Sequence, residues 1–167
     1  MAKLRILTYP DPVLAKKAEP VGEITPEIAQ LITDMVQTMY ESEGVGLAAP
    51  QVGHSLRLIT VDETGPKERA RPMVILNPVF SDCTGVKESE ESCLSLPTFL
   101  CTVKRSEFVT VRGTNEKGEA IEIKAEGLLA IILQHEVDHL DGKTLVDHAS
   151  RLKRTMYASK VKKWLKD

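Results

Sequence analysis

The segment that most constrains this chain is LLAIILQHEVDHL, at positions 128–140, which is apolar until its last third. It is too long for an ordinary strand and predicts a buried helix, which the Asp-Gly pair at 141–142 would end. Residues four apart lie on one helix face, so His135 and His139 can reach a single metal ion. Burying two imidazoles and the Glu136 carboxylate without an ion would leave polar groups to satisfy, so the pattern favours a metal site.

Glu136 occupies the second position of the HExxH pattern, about 100° around the helix from His135. It would therefore lie beside the ion rather than on it, where a carboxylate can take a proton from water. Two imidazoles do not complete a tetrahedral site. The pattern predicts a hydrolytic centre whose third ligand comes from another part of the chain.

The sequence after Glu136 does not supply the usual third ligand of a zinc endopeptidase. In the HExxHxxGxxH pattern Gly142 fits, but Leu145 stands where the third histidine belongs. A second protease class takes a glutamate from a later helix, and no glutamate follows Glu136. An endopeptidase is thus the disfavoured enzyme alternative. The remaining candidate ligands are His54, His148, Asp141, Asp147 and a cysteine.

The cysteines are Cys83, Cys93 and Cys101. An odd number without a secretory signal predicts reduced thiols and a cytoplasmic location. A thiolate is a strong ligand for Zn²⁺ or Fe²⁺. Cys93 lies in ESCLSLP, between an acidic loop and a possible strand edge, and this spacing favours it. The other two are interpreted as small buried hydrophobic residues.

The other segments predict one α+β domain over residues 1–167. An amphipathic helix begins at the Thr-Pro-Glu cap of 25–27 and ends near Ser42. Strands are expected at 56–62 and 72–78, and EFVTVRG and EAIEIKA form a β-hairpin. Because strands and helices do not alternate regularly, an α+β fold with antiparallel sheets is expected.

A C-terminal helix is expected from about 150 to 166, with Leu152, Met156, Val161 and Leu165 facing the body. Its basic residues suggest docking onto ribosomal RNA, although a solvated helix face explains them too. The net charge of −2 gives no general reason to expect DNA or a membrane as a partner. The first residues contain no long apolar stretch, so neither export nor a membrane span is expected.

GVGLAAPQVG, at 44–53, is a third unusual segment. Its glycines allow the backbone to approach a ligand, and Gln51 offers an amide donor for a developing oxyanion. Together GVGLAAPQ, ESCLS and QHEVDH resemble, in order and spacing, the three motifs of the peptide deformylases. The opening ILTYPDPVLAKKAEPV and the context EGLLAIILQHEVDHLDG are similar to that family as well.

The resemblance implies a metal-dependent hydrolase that removes the formyl group from the N-terminal formyl-methionine of new polypeptides, in a bacterial-type cytoplasm. It implies one divalent ion, natively Fe²⁺, with Zn²⁺, Ni²⁺ or Co²⁺ also accepted. It also implies antiparallel sheets packed around the central HExxH helix. Glu136 would be the general acid and base. The metal ligands, with water as the fourth, would be Cys93, His135 and His139. The oxyanion hole would be the Gln51 side-chain amide and the Leu94 backbone N–H. The substrate-binding residues would be Val45, Gly46, Glu91, Ser92, Leu128, Ile131 and Ile132.

The chain departs from the family pattern at two positions. Ser92 stands where the motif usually has glycine, and a positive φ there would cost on the order of 1 kcal/mol. Leu100 stands where some members carry an arginine. A competing hypothesis is a non-catalytic module with a structural metal, but such sites normally have four protein ligands and only three are nominated here.

Overall fold

A computed structural model describes residues 3–166 of the chain. The helices are α1 (Pro26–Glu41), α2 (Gly65–Glu68), α3 (Gly127–Leu140) and α4 (Arg151–Lys166). The strands are β1 (Gly46–Ala48), β2 (Leu58–Val61), β3 (Met73–Thr84), β4 (Lys87–Cys93), β5 (Leu96–Arg105), β6 (Phe108–Thr114) and β7 (Ala120–Glu126). Short 3-10 turns occupy Pro12–Ala15, Ala49–Val52 and Leu145–His148.

The strands form two antiparallel sheets, which confirms the expected α+β class. One sheet has the order β1-β2-β3-β6-β7, and the other consists of β4 and β5. Helix α3 packs against β1, β2 and β7. Its Ala130, Leu133 and Val137 share a buried cluster with Ile59 and Ile75 of the larger sheet. The HExxH segment is therefore packed against the larger sheet.

Local capping explains why the predicted elements form where they do. The Thr25 hydroxyl caps α1 by accepting a hydrogen bond from the Ile28 N–H at 3.2 Å. In the β6–β7 hairpin, the Asn115 side chain accepts from the Lys117 and Glu119 N–H groups at 2.9 and 3.0 Å. Both elements are confirmed, and each depends on residues close together in sequence.

The end of α3 has a tertiary reason as well. Gly142 has a φ of +75°, and a Cβ there would lie 2.7 Å from the Ala15 carbonyl oxygen. Only glycine fits this position, because it tolerates both the left-handed backbone and the close approach of another segment.

The predicted orientation of the C-terminal helix is wrong for most of its apolar residues. Val161 is buried, but Leu152 and Leu165 are each 71% exposed and Met156 is 64% exposed. The helix contacts the body along a narrow strip formed by Tyr157 and Val161, which join a cluster around β5. Within residues 3–166, no helix is both long and apolar enough to cross a membrane.

Two predictions around the cysteines are also wrong. The acidic segment before Cys93 is strand β4 rather than a loop, because it pairs with β5 along its length. Cys101 is buried as expected, but Cys83 is exposed. Strand β3 continues past its predicted end to Thr84, and its last residues, Cys83 among them, are exposed.

Candidate functional site

The three sequence motifs meet at one cavity of about 630 Å³. Strand β1 contributes Gly46, the following 3-10 turn contributes Gln51, and α3 contributes His135 and Glu136. Cys93 ends β4, just before the two-residue turn that connects β4 to β5. Segments distant in sequence thus place their polar side chains around the same space.

The side chains of Cys93, His135 and His139 form a compact group of potential metal ligands. One ligand atom from each lies within 4.8 Å of the others, and Cys93 Sγ is 3.4 Å from His139 Nε2. Among the described residues, the other candidate ligands have different environments. His148 contacts Asp138, and Asp141 pairs with Arg57.

Glu136 is buried beside this group. Its Oε1 has no hydrogen-bond partner among the described residues, and the side chain is 5% exposed. Burial raises the pKa of Glu136 to about 7, although the positive charges of His135 and Arg105 oppose the shift. Gly46 makes room for this carboxylate, since a Cβ at Gly46 would lie 2.5 Å from Glu136 Oε2. The arrangement holds a proton acceptor that titrates near neutrality.

A buried ion pair supports His135 from behind. The Arg105 Nε and Nη2 donate to the two Glu91 carboxylate oxygens at 2.9 and 2.7 Å. Glu91 Oε1 also lies 3.0 Å from His135 Nδ1, which leaves the Nε2 of that ring for a metal. Burial by itself raises the pKa of Glu91, but the hydrogen bonds from Arg105 and His135 outweigh it and lower the pKa to about 2.

The two histidines have opposite electrostatic environments. Burial lowers the pKa of His135, but its hydrogen bonds with Cys93 and Glu91 and the Glu136 charge raise it well above the usual value. Burial and the His135 charge hold the pKa of His139 well below the usual value. The negative groups therefore stabilise one positive charge at this point. Together with the unpaired Glu136 Oε1, this donor set fits a divalent cation.

The Gln51 side chain is held at the cavity by three contacts. Its Oε1 accepts from the Ala48 N–H at 2.9 Å, and its Nε2 donates to Ser95 Oγ at 3.1 Å. Nε2 is also 3.6 Å from Cys93 Sγ, so the amide donor faces the ligand group. Leu94, in the turn after Cys93, lines the same cavity.

The structure places all the predicted substrate-binding residues along the cavity, namely Val45, Gly46, Glu91, Ser92, Leu128, Ile131 and Ile132. Ser92 does not have a positive φ, so the suspected backbone strain is absent. The Glu91 carboxylate is engaged by Arg105 and His135. Leu128 is 52% exposed and Leu100 is 53% exposed, so both lie at the mouth.

Sequence reasoning missed the supporting residues Ser95, Arg105 and Asp138. Arg105 could have been found from the alternation of β5, in which Cys101, Val103 and Arg105 fall on the buried face. A charged residue at a buried strand position implies a buried partner of opposite charge. Ser95 gave no comparable signal.

Comparison with known proteins places the chain among enzymes of one type. A sequence profile described as polypeptide deformylase matches residues 3–155. A peptide deformylase of Thermodesulfovibrio yellowstonii is 52% identical over 163 residues, covering 97% of this chain and 98% of the relative. That of Psychrobacter arcticus is 47% identical, with 99% and 90% of the two chains covered.

Solved structures agree in fold. The crystal structure of a peptide deformylase from Legionella pneumophila has a TM-score of 0.92 and 46% identity, covering 99% of this chain and 96% of that one. A peptide deformylase from Synechococcus elongatus, in complex with actinonin, has a TM-score of 0.88 and 39% identity, with 96% and 88% covered. The likeness thus extends over the whole fold, including the segments that form the cavity.

Proposed function

Since this chain belongs to the peptide deformylase family, we propose a role for each site residue in the reaction of that family. The reaction is the metal-dependent hydrolysis of the formyl group from the N-terminal formyl-methionine of new polypeptides. The observation that carries the assignment is the grouping of Cys93, His135 and His139 within 4.8 Å beside the buried Glu136. We further propose that residues 1–167 act as a single catalytic domain.

The proposed metal ligands are Cys93, His135 and His139. A divalent ion held by them would supply Lewis-acid chemistry, because such an ion lowers the pKa of a water molecule and polarises a carbonyl group. The family resemblance favours Fe²⁺ as the native ion, and Zn²⁺, Ni²⁺ and Co²⁺ also suit this donor set. Metal analysis of protein prepared without oxygen, paired with an assay on formyl-Met-Ala, tests the choice, and an active preparation lacking iron would contradict it.

Glu136 handles the proton in this mechanism. Its carboxylate accepts a proton from water as the water oxygen adds to the formyl carbon. It then gives the proton to the amine nitrogen as the C–N bond breaks, which yields formate and a free N-terminus. A pKa of about 7 suits both roles near neutral pH, because the group can gain and lose a proton readily.

Gln51 and Leu94 are the proposed donors to the oxyanion. The Gln51 Nε2 lies beside Cys93, and the Leu94 backbone N–H belongs to the turn that follows the same ligand. Fixed donors at this place would stabilise negative charge on the formyl oxygen in the transition state. Leu128, Ile131 and Ile132 form an apolar wall suited to the methionine side chain.

The test of the catalytic assignment is Glu136→Gln. The variant should keep the metal, because all three ligands remain, and lose turnover of formyl-Met-Ala because the base is gone. Near-wild-type turnover would refute the role of Glu136. Cleavage of unformylated peptides at internal bonds would favour an endopeptidase. A structural metal site would require a fourth protein ligand, and the group found among residues 3–166 has three.

We also propose that α4 contacts the ribosome, in the cytoplasm where formylated chains emerge. The helix presents exposed Leu152 and Met156 together with its basic residues. Replacing Lys162, Lys163 and Lys166 by glutamine should weaken ribosome co-sedimentation and reduce its salt dependence. The packed strip of Tyr157 and Val161 stays intact in this variant. Unchanged co-sedimentation would leave a solvated helix face as the explanation.

A further inference from the structure

A surface histidine is connected to the metal site through a line of charged side chains. His148 Nε2 lies 2.9 Å from Asp138 Oδ2, and the same oxygen accepts from Arg105 Nη1 at 2.7 Å. Arg105 binds both oxygens of Glu91, and Glu91 Oε1 lies 3.0 Å from His135 Nδ1. Every step is a contact of hydrogen-bond length.

We propose that His148 is a positioning residue for the metal centre. By donating to Asp138, it holds the outer carboxylate against Arg105, and Arg105 in turn fixes Glu91 behind the ring of His135. The inference rests on the proposed function only in taking His135 as a metal ligand.

The outer carboxylate is the part of this line that can move. Arg105 is 4% exposed and Glu91 is 7% exposed, whereas Asp138 is 24% exposed. The Arg105 guanidinium is a rigid planar group. If Asp138 rotated into solvent, the guanidinium would reorient, and its hydrogen bonds to Glu91 would change direction as well. His148 prevents this rotation because it holds the same Oδ2 atom that Arg105 uses.

His148 itself is anchored to the fold. It ends the 3-10 turn Leu145–His148, in which Leu145 is 1% exposed and Val146 is 6% exposed. The Thr144 N–H donates to Asp147 Oδ2 at 2.8 Å and closes the start of this turn. The imidazole is thus presented to Asp138 by packed backbone, so little additional entropy is lost in forming the contact.

The charges explain why a further donor is needed. Two carboxylates, Glu91 and Asp138, share the single guanidinium of Arg105. Partners that hold a metal-bound histidine typically change metal affinity about 10- to 100-fold when they are removed. Because His148 acts through three intervening side chains, we expect a smaller effect, about three- to tenfold in the rate of metal release.

The test uses the full chain loaded with Co²⁺ alone. Release of cobalt to an excess of chelator is followed by the absorption of the cobalt–thiolate group, in His148→Ala, His148→Gln and the control His54→Ala. A glutamine can place its Nε2 donor near Asp138, whereas alanine cannot. His54 is exposed and its side chain is in no hydrogen bond described for residues 3–166.

We expect about three- to tenfold faster release and an altered cobalt spectrum for His148→Ala, and near-wild-type behaviour for the other two variants. Wild-type release in His148→Ala would overturn the proposal. Equal acceleration in His148→Gln would overturn it too, because the donor would then not be the cause. The readout needs no formyl peptide, so failure of the proposed hydrolysis is distinguishable: cobalt behaviour as expected without turnover would refute the catalytic roles alone.

Discussion

Replacing Gly46 by alanine should reduce the catalytic rate much more than it reduces the stability of the fold. A Cβ at Gly46 would lie 2.5 Å from Glu136 Oε2 and 3.0 Å from its Cγ and Cδ, where ordinary contact begins at 3.4 Å. Gly46 does not have a positive φ, so its backbone conformation is compatible with alanine and the clash with Glu136 is the main obstacle. The carboxylate would have to retreat by about 0.9 Å.

The expected losses differ in size. A catalytic group displaced by about 1 Å can cost about 100-fold in rate, equivalent to about 2.7 kcal/mol of transition-state stabilisation. Stability should fall less, by about 1 kcal/mol, because a side-chain end can move where backbone could not. We therefore expect kcat/KM on formyl-Met-Ala to fall about 100-fold with a small change in melting temperature.

Gly22→Ala is the matched control, since among residues 3–166 no atom outside its two chain neighbours lies within 4 Å of a Cβ at that position. It should retain wild-type activity and stability. Metal content should be measured in both variants, so that a loss of metal can be distinguished from displacement of the Glu136 carboxylate. If Gly46→Ala kept kcat/KM within threefold of wild type, the proposal that the Glu136 carboxylate acts from its position beside Gly46 would be refuted.

Three further predictions concern the support of the site. Arg105→Ala should lower the free energy of unfolding in urea by about 3–5 kcal/mol, because it leaves Glu91 buried without its partner, whereas the exposed Arg112→Ala should cost under about 1 kcal/mol. Glu91 has a pKa of about 2 in the folded protein and a reference pKa of 4.5, so its contribution to folding stability is present above pH 4.5 and is lost as the pH falls towards 2. Glu91→Gln should therefore flatten the acid limb of the plot of unfolding free energy against pH, and an unchanged limb would contradict this. Ser92→Gly should not raise the melting temperature, since Ser92 has no positive φ to relieve, and a clear gain would show hidden strain.

Features that depend on neighbouring residues were predictable from the sequence. The Thr25 cap, the Asn115 turn and the pairing of His135 with His139 on one helix face all follow from local hydrogen bonding and helix periodicity. Motif order indicated the family and nominated Cys93. The metal-ligand group forms because Cys93, at the end of β4, lies next to His139 of α3.

Features that depend on long-range packing were decided by the tertiary structure. The periodicity of α4 shows which residues share a helix face, but it does not show how much of that face the rest of the protein covers. In the structure only part of it is covered, and Leu152 and Leu165 are exposed. From the sequence, the acidic residues of β4 predict a loop. They form a strand because they pair with β5, where Glu91 makes an ion pair with Arg105. Local chemistry determined which side chains could bind and react, and the partners brought together across the sheets determined their orientation and pKa, because burial and charge pairing depend on distant segments.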